Sequence, residues 1–267
     1  PIGIDHKDFL KKGTIDEIVY EKCAHLLGDS KIFISKQKDN ILKKIQKNIN
    51  KNSSEKFIFG KNYSYKKNID SFIYKDDRGK IILPLPNLLG DHQINNISTA
   101  IALARNLDQF KIKKSHIKNA ITKIRSEGRL QIINKGKLRS YVSKNNQIII
   151  DGAHNMLAAL AIKKYLKNIN PKRKIVMVLA MMANKEHKKF IKTLKGNIAY
   201  IVALDIPNQK NFMPKEKLAK IAQSCGVPSK TEISIKSALR NISKQNDSSI
   251  ILCSGSLYFA GEILNLN

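Results

Sequence analysis

Asp151 and His154 stand three apart in Ile148-Ile149-Ile150-Asp151-Gly152-Ala153-His154-Asn155, where an apolar run gives way to a short polar loop. A carboxylate and an imidazole so placed read as a ligand site, since the one accepts hydrogen bonds and the other can donate or accept them. Ser256, in Gly255-Ser256-Leu257-Tyr258, follows a second apolar run, Ile250 to Cys253. Lys22, Asn96 and Arg129 add an amine, an amide and a guanidinium, and His6 a further imidazole. The plain alternatives are that Asp151 caps a turn, that His154 fills a polar corner and that Arg129 is a surface side chain.

The elements that must position these groups can be read from periodicity. Residues 147 to 150 are β-branched and short, as expected of a strand buried on both faces of a parallel sheet. A helix follows, with Leu157, Leu160, Ala161 and Tyr165 on one face. Asp151 and His154 thus fall between a strand's carboxyl end and a helix's amino end, where open α/β sheets bind ligands. Further strands are expected near 130 to 134, 139 to 142, 174 to 180, 198 to 203 and 249 to 253. A helix from Pro214 to Cys225, closed by Gly226, lies among them. This alternation predicts a doubly wound α/β domain from residue 126 to 267.

Residues 1 to 125 read differently. A helix is expected over 14 to 28, with Thr14 and Glu17 at capping-box spacing and Gly28 as its stop. Its stripe of Ile15, Ile18, Val19 and Leu26 directs the stem of Lys22 along the buried face, where the ammonium either snorkels outward or is held for chemistry. Strands at 32 to 34, 57 to 59, 72 to 74 and 81 to 85 surround a helix near 38 to 49. Helices at about 90 to 107 and 115 to 125 follow, the first with Ile97, Ala100, Ile101 and Ala104 on one face.

Composition narrows the classes. The chain has 267 residues, 49 of them Lys or Arg, and a formal net charge of +28. Only seven of those 49 are Arg, the residue suited to bidentate phosphate and base contacts, and the Lys excess is spread along the whole chain. That argues against a dedicated nucleic-acid function, although a basic nucleic-acid-binding protein is the non-enzyme alternative. No apolar run is long enough to span a membrane. Cys23, Cys225 and Cys253 lack metal-ligand spacing and suit a reduced, cytoplasmic protein. The chain opens Pro1-Ile2-Gly3-Ile4, without Met, and reads as a fragment.

Five segments line up in order: Asp5-His6 with Leu10 and then Glu21-Lys22; Gly90-x-His92-Gln93-x-x-Asn96; Gly128-Arg129; Asp151 to Asn155; and Gly255 to Tyr258. Together they resemble the folylpolyglutamate synthase and dihydrofolate synthase family of the Mur ligase superfamily. The resemblance implies the remainder of a central ATPase domain (1 to 125) followed by a Rossmann-like C-terminal domain (126 to 267). It also implies an ATP-dependent ligase that activates a pteroate or folate carboxylate as an acyl phosphate, to be attacked by the amino group of L-glutamate. ATP and Mg2+ would be required, and the protein would be a monomer acting on dihydropteroate or folate.

By the same resemblance His6 would ligate magnesium, and Lys22 would be carbamylated to act as a carboxylate near a metal. Carbamylation would also remove a cation that is costly to bury. Asn96 would contact adenine, Arg129 would reach the terminal phosphate, and Asp151 would bind the ribose. His154 and Ser256 would organise the glutamate and catalytic side, and Lys185 resembles a further motif. His92 and Gln93 carry no assigned chemistry. Three departures stand out: one extra residue in Leu10-Lys11-Lys12-Gly13-Thr14, Cys23-Ala24-His25 in place of a small-Gly-apolar stretch, and Met156 where the family has Pro. No G-x-x-x-x-G-K-[ST] loop occurs. In the family it lies upstream, so the chain alone is expected to be inactive. A peptidoglycan Mur ligase is the alternative among enzymes.

Overall fold

The computed structural model describes residues 1–4, 10–26, 30–50, 53–169 and 173–267. The chain divides into two compact units, Pro1–Asn87 with Asp91–Arg125, and Leu88–Gly90 with Ser126–Asn267.

In the first unit helix α1 (Ile15–Ala24) starts at a reciprocal capping box. The Glu17 N–H donates to Thr14 Oγ1 at 3.3 Å and the Thr14 N–H to Glu17 Oε2 at 3.1 Å. The helix ends at Ala24, earlier than its apolar spacing predicts, and the expected stop Gly28 lies outside the described residues. Strand β1 (Ile32–Ile34), helix α2 (Asp39–Ile49) and strand β2 (Lys56–Ile58) form a parallel βαβ unit. Ile41, Ile45 and Ile49 recur every fourth residue on α2 and pack with Val19, Ile32, Ile34 and Ile58.

Strands β3 (Ser64–Lys67), β4 (Ser71–Asp76) and β5 (Gly79–Pro84) then form an antiparallel meander. Helices α3 (Asp91–Arg105) and α4 (Lys114–Lys123) contribute Ile97, Ile101, Ile117 and Ile121 to a core with Phe72, Tyr74, Ile81 and Leu83. Strand β3 escapes sequence reading because Ser64-Tyr65-Lys66-Lys67 is an edge strand of mostly polar residues. On α3 Ala100 is exposed and Ala102 buried, so the apolar face lies to one side of the one predicted.

The second unit is an open six-stranded sheet. In chain order its elements are β6 (Gln131–Ile133), β7 (Gln147–Ile150), α5 (Met156–Lys167), β8 (Ile175–Leu179), α6 (His187–Leu194) and β9 (Tyr200–Ala203). They continue with α7 (Lys215–Ser224), β10 (Ser229–Thr231), α8 (Ile235–Gln245), β11 (Ile250–Ser254) and α9 (Leu257–Asn265). The spatial order is β10-β9-β8-β11-β7-β6, with only β6 antiparallel to its neighbour.

Alternate residues of the central strands face opposite layers. Ile149, Met177, Leu179, Ile201 and Leu252 pack with Ile162, Phe190 and Leu218, whereas Ile148, Ile150, Val178, Val202 and Ile251 pack with Leu239, Phe259 and Ile263. Burial on both faces is why these strands read as unbroken apolar runs.

Two expectations fail here. The strand predicted at 139 to 142 is a 3-10 turn, Lys137–Tyr141. It is bound by the Arg139 guanidinium, which donates to the carbonyls of Asn146, Ser143 and Lys144. On α5 the buried line is Ala159, Ile162 and Leu166, with Leu160 46% exposed. The helix rolls toward its small residue, Ala159, which permits close approach to the sheet. Strand β10 is another short polar edge strand, and its composition does not reveal it.

Candidate functional site

Strand β11 lies between β7 and β8, and Cys253 is in register with Ile150. The loops that leave β7 and β11 therefore emerge side by side at the carboxyl edge of the sheet. The Asp151 N–H donates to Cys253 O at 2.9 Å, the Gly255 N–H to Ala153 O at 2.9 Å, and Ser254 Oγ to the same carbonyl at 3.3 Å. The sequence placed Asp151, His154 and Ser256 on one edge, and the fold does gather them there.

Asp151 is 7% exposed. Its Oδ2 accepts from the Leu130 N–H and its Oδ1 from the Ala153 N–H, both at 2.8 Å. The Gly152 N–H donates to Gly128 O at 2.8 Å, which completes the tie to the segment carrying Arg129. Arg129 is exposed, while Gly128 and Leu130 on either side are buried.

Burial pushes the Asp151 carboxyl above its ordinary value, and the two N–H donors with the charges of Arg129 and His154 pull it back only partly. The folded state therefore holds this proton more tightly than the unfolded chain does. That contribution to stability is complete below the unfolded carboxylate pKa and is lost as pH rises through the raised folded value. Relative to Asp151→Asn, the wild-type chain should lose thermal stability with rising pH across that window and then level off. A difference in melting temperature that stays constant with pH would count against this ionisation.

His154 is half-buried, and its Nδ1 lies 2.9 Å from Gly152 O. A carbonyl can only accept, so Nδ1 carries a hydrogen. Asn155 caps α5 by accepting the Ala158 N–H at 2.9 Å, and Ser256 caps α9 by accepting the Tyr258 N–H at 3.1 Å. Ser256 is 3% exposed, so in this structure its hydroxyl serves the helix. Two helix amino termini thus open on the same sheet edge, and both favour anionic groups.

Sequence reasoning did not single out Leu130, and it quoted Asn155 and Gly255 within motifs without giving either a role. An Asn immediately before a helical pattern is a cap signal that could have found Asn155. Nothing in the sequence pairs Leu130 with Asp151, 21 residues away.

The other candidate residues fall as follows. Asn96 is exposed in the first turns of α3, and its Nδ2 donates to Gln93 Oε1 at 3.1 Å. Lys185 is half-buried in the turn before α6, with its N–H directed to Met182 O at 3.3 Å. Lys22 is exposed on the last turn of α1, which corrects its expected position on the buried face. α1 stops at Ala24, so Leu26 does not extend the helical stripe past Lys22. His6 lies outside the described residues. Among the described residues no three His, Cys, Asp or Glu come together to hold a metal ion. None of the residues singled out from sequence lines the cavity of about 450 Å³ beside Tyr74 and Asp76 in the first unit.

Residues 128–257 match the Mur ligase, glutamate ligase domain. The chain is 26% identical to the probable dihydrofolate synthetase of Schizosaccharomyces pombe, over 98% of this chain and 63% of that protein. Among solved structures it resembles a Mycobacterium tuberculosis folylpolyglutamate synthase complexed with ADP and AMPPCP. The TM-score is 0.82 at 20% identity, covering 100% of this chain and 62% of the other. A bifunctional folylpolyglutamate synthase/dihydrofolate synthase from Yersinia pestis, complexed with AMPPNP and Mn ion, aligns with a TM-score of 0.78 at 16% identity, over 99% and 59%. The chain spans about three-fifths of the length of these relatives. A mostly parallel sheet with two loops paired at its carboxyl edge and a matching family model lead to one assignment: residues 128–257 form a Mur ligase, glutamate ligase domain, within a chain whose likeness to folylpolyglutamate and dihydrofolate synthases runs its whole length.

Proposed function

We propose that the protein carrying these residues is an ATP-dependent ligase that joins L-glutamate to dihydropteroate or tetrahydrofolate. The observation that carries this reading is the convergence of Arg129, Asp151, His154 and two helix amino termini on one edge of a domain of the glutamate ligase type. In the reaction the acceptor carboxylate takes the terminal phosphoryl group of ATP, which supplies a leaving group. The glutamate nitrogen then attacks the acyl carbon, and phosphate departs with its bonding electrons.

The residues have distinct tasks. Arg129, an exposed guanidinium, neutralises charge on the transferring phosphoryl group. Asn96 presents an amide to adenine. His154, with its hydrogen on Nδ1, offers Nε2 to the glutamate side. The capped amino termini of α5 and α9, the latter at Ser256, favour the carboxylates of glutamate.

A divalent cation, magnesium, accompanies the nucleotide and offsets phosphate charge when bound. His6 and Lys22 are the residues the family resemblance gives it. The described residues form no acidic or imidazole cluster that fits it. No helix among the described residues is long and apolar enough to cross a membrane, and the setting we propose is cytoplasmic, with the protein acting as a monomer.

The test uses the full-length protein encoded by the gene. It should form ADP only when glutamate and either dihydropteroate or tetrahydrofolate are both present. Absence of activity toward both acceptors would overturn the assignment, and turnover of a UDP-linked muramoyl acceptor instead would move the protein to the peptidoglycan branch.

A further inference from the structure

We propose that the cavity of about 450 Å³ in the first unit is a binding site for a small organic cation, a primary alkylamine, held by Tyr74 and Asn106 inside and by Glu55 and Asp77 at the rim. The site shares no residue with those given a task in the ligase reading, and the inference does not rest on that reading.

A volume of this size falls within the range of small-molecule pockets, roughly 300–1,000 Å³. Of its thirteen lining residues three are acidic, Glu55, Asp76 and Asp77, and three aromatic, Phe57, Tyr63 and Tyr74. The whole chain holds only 21 acidic residues in 267, and 6% of it is aromatic, so both classes are concentrated here. Lys61 and Lys75 also line the cavity, a share no higher than 49 Lys and Arg in 267 would supply by chance. Carboxylates beside aromatic rings are surroundings that recognise ammonium groups, the ring faces acting through their quadrupoles. A chain of net charge +28 would not produce them from its background composition.

Tyr74 is fully buried, and its hydroxyl has no hydrogen-bond partner among the described residues. Its neighbour Tyr63, stacked with it at 6.3 Å between ring centroids, donates to Ile34 O at 3.0 Å. Asp76 does not meet the need, because its oxygens are engaged elsewhere. Oδ2 accepts from Arg105 Nε at 2.7 Å, and Oδ1 from an Arg105 terminal nitrogen at 3.1 Å and the Arg78 N–H at 3.0 Å. Burial, with the Asp76 charge added, raises the Tyr74 phenol above its ordinary pKa, so the hydroxyl is neutral and keeps its lone pairs for a ligand. An unpaired buried hydroxyl is costly, and a bound donor would relieve it.

Asn106 points the same way. Its Nδ2 donates to Ala102 O at 2.8 Å, which leaves Oδ1 as an acceptor. Ala102 and Asn106 also stand at the carboxyl end of α3, the negative pole of that helix. The interior thus leaves an amide oxygen that only accepts and a hydroxyl that can accept. A protonated amine supplies three N–H donors to meet them, and the exposed carboxylates of Glu55 and Asp77 offset its charge.

The test is isothermal titration calorimetry of the full-length protein at constant ionic strength, with 1,4-diaminobutane as the probe. 1,4-Butanediol is the neutral control and succinate the anionic one. The diamine should bind saturably at one site, and the two controls should not. Tyr74→Phe should weaken binding about ten- to a hundredfold, the scale of a hydrogen bond to a charged group. Glu55→Gln and Asp77→Asn, at the exposed rim, should each weaken it about two- to fivefold. Because Tyr74→Phe keeps the shape and removes an unpaired hydroxyl, the variant without amine should melt at or above the wild-type temperature.

Absence of diamine binding would overturn the proposal, as would equal binding of the diol or an affinity untouched by Tyr74→Phe. Preference for succinate would overturn it in favour of an anion site at Lys61 and Lys75. A melting temperature lowered by Tyr74→Phe would remove the unpaired hydroxyl on which the proposal stands. None of these readouts involves turnover, so they hold whether or not the ligase assignment does.

Discussion

Arg129→Ala in the full-length protein is expected to lower kcat about a hundredfold or more, the loss typical when one charge-stabilising donor is removed from a transition state. If Arg129 acts on the transferring phosphoryl group as proposed, its interaction strengthens as charge develops there, and kcat and kcat/KM should fall together. Arg129→Lys should recover only part of the rate, since an ammonium cannot form the two parallel hydrogen bonds of a guanidinium. Arg125, also exposed and four residues earlier, provides a matched control. Its replacement by alanine should leave turnover unchanged, which separates a local role from the field of a chain with net charge +28. Steady-state kinetics with ATP varied would decide, and a loss below tenfold would remove Arg129 from the phosphate-binding role.

Gly255→Ala should destabilise the second unit by about 3–5 kcal/mol, combining backbone strain with an overlap that cannot relax. Gly255 has φ +116, and an added Cβ would lie 2.4 Å from Ala180 O and 2.8 Å from both Leu179 Cδ1 and Met181 Cγ. A side chain can turn away, but a carbonyl at the end of β8 cannot. Its displacement would part the β11 loop from β8 and strain the bonds from Ala180 N to Ser254 O and from Gly255 N to Ala153 O. Gly196→Ala isolates the conformational part, because Gly196 has φ +87 and nothing within 4 Å of the added carbon. That change should cost about 1–2 kcal/mol. Thermal or urea unfolding of the pair would test the argument, and equal losses would show that the Ala180 contact contributes nothing.

Much of the fold is legible in the residues because its patterns are local. The capping box at Thr14 and Glu17, the four-residue stripe of α2, the stop at Gly226 and the apolar strands β7, β8 and β11 all follow from spacings within one element. Elements without such a pattern were lost or misread. Strands β3 and β10 are polar edges, and the 139 to 142 segment contains alternating residues but is held as a turn by an arginine that bonds to carbonyls up to seven residues away. Lys22 was misplaced for a related reason, since its assignment assumed that α1 continues to Leu26.

The candidate site divides in the same way. Residue types and order placed Asp151, His154 and Ser256 at strand-loop-helix junctions, whereas Arg129 was singled out only through the family resemblance. What each of them does depends on partners remote in the chain. Insertion of β11 between β7 and β8 brings the Ser256 loop beside the Asp151 loop across about a hundred residues. Burial then turns the Asp151 carboxylate onto Leu130 and Ala153, and the hydroxyl of Ser256 onto its own helix. The amino-acid sequence by itself determined the elements, their caps and the chemical groups at the sheet edge, since local sterics and periodicity suffice for those. Only the tertiary structure decided which of these groups face solvent and which are committed to the backbone, because desolvation and hydrogen-bond pairing are properties of the assembled sheet.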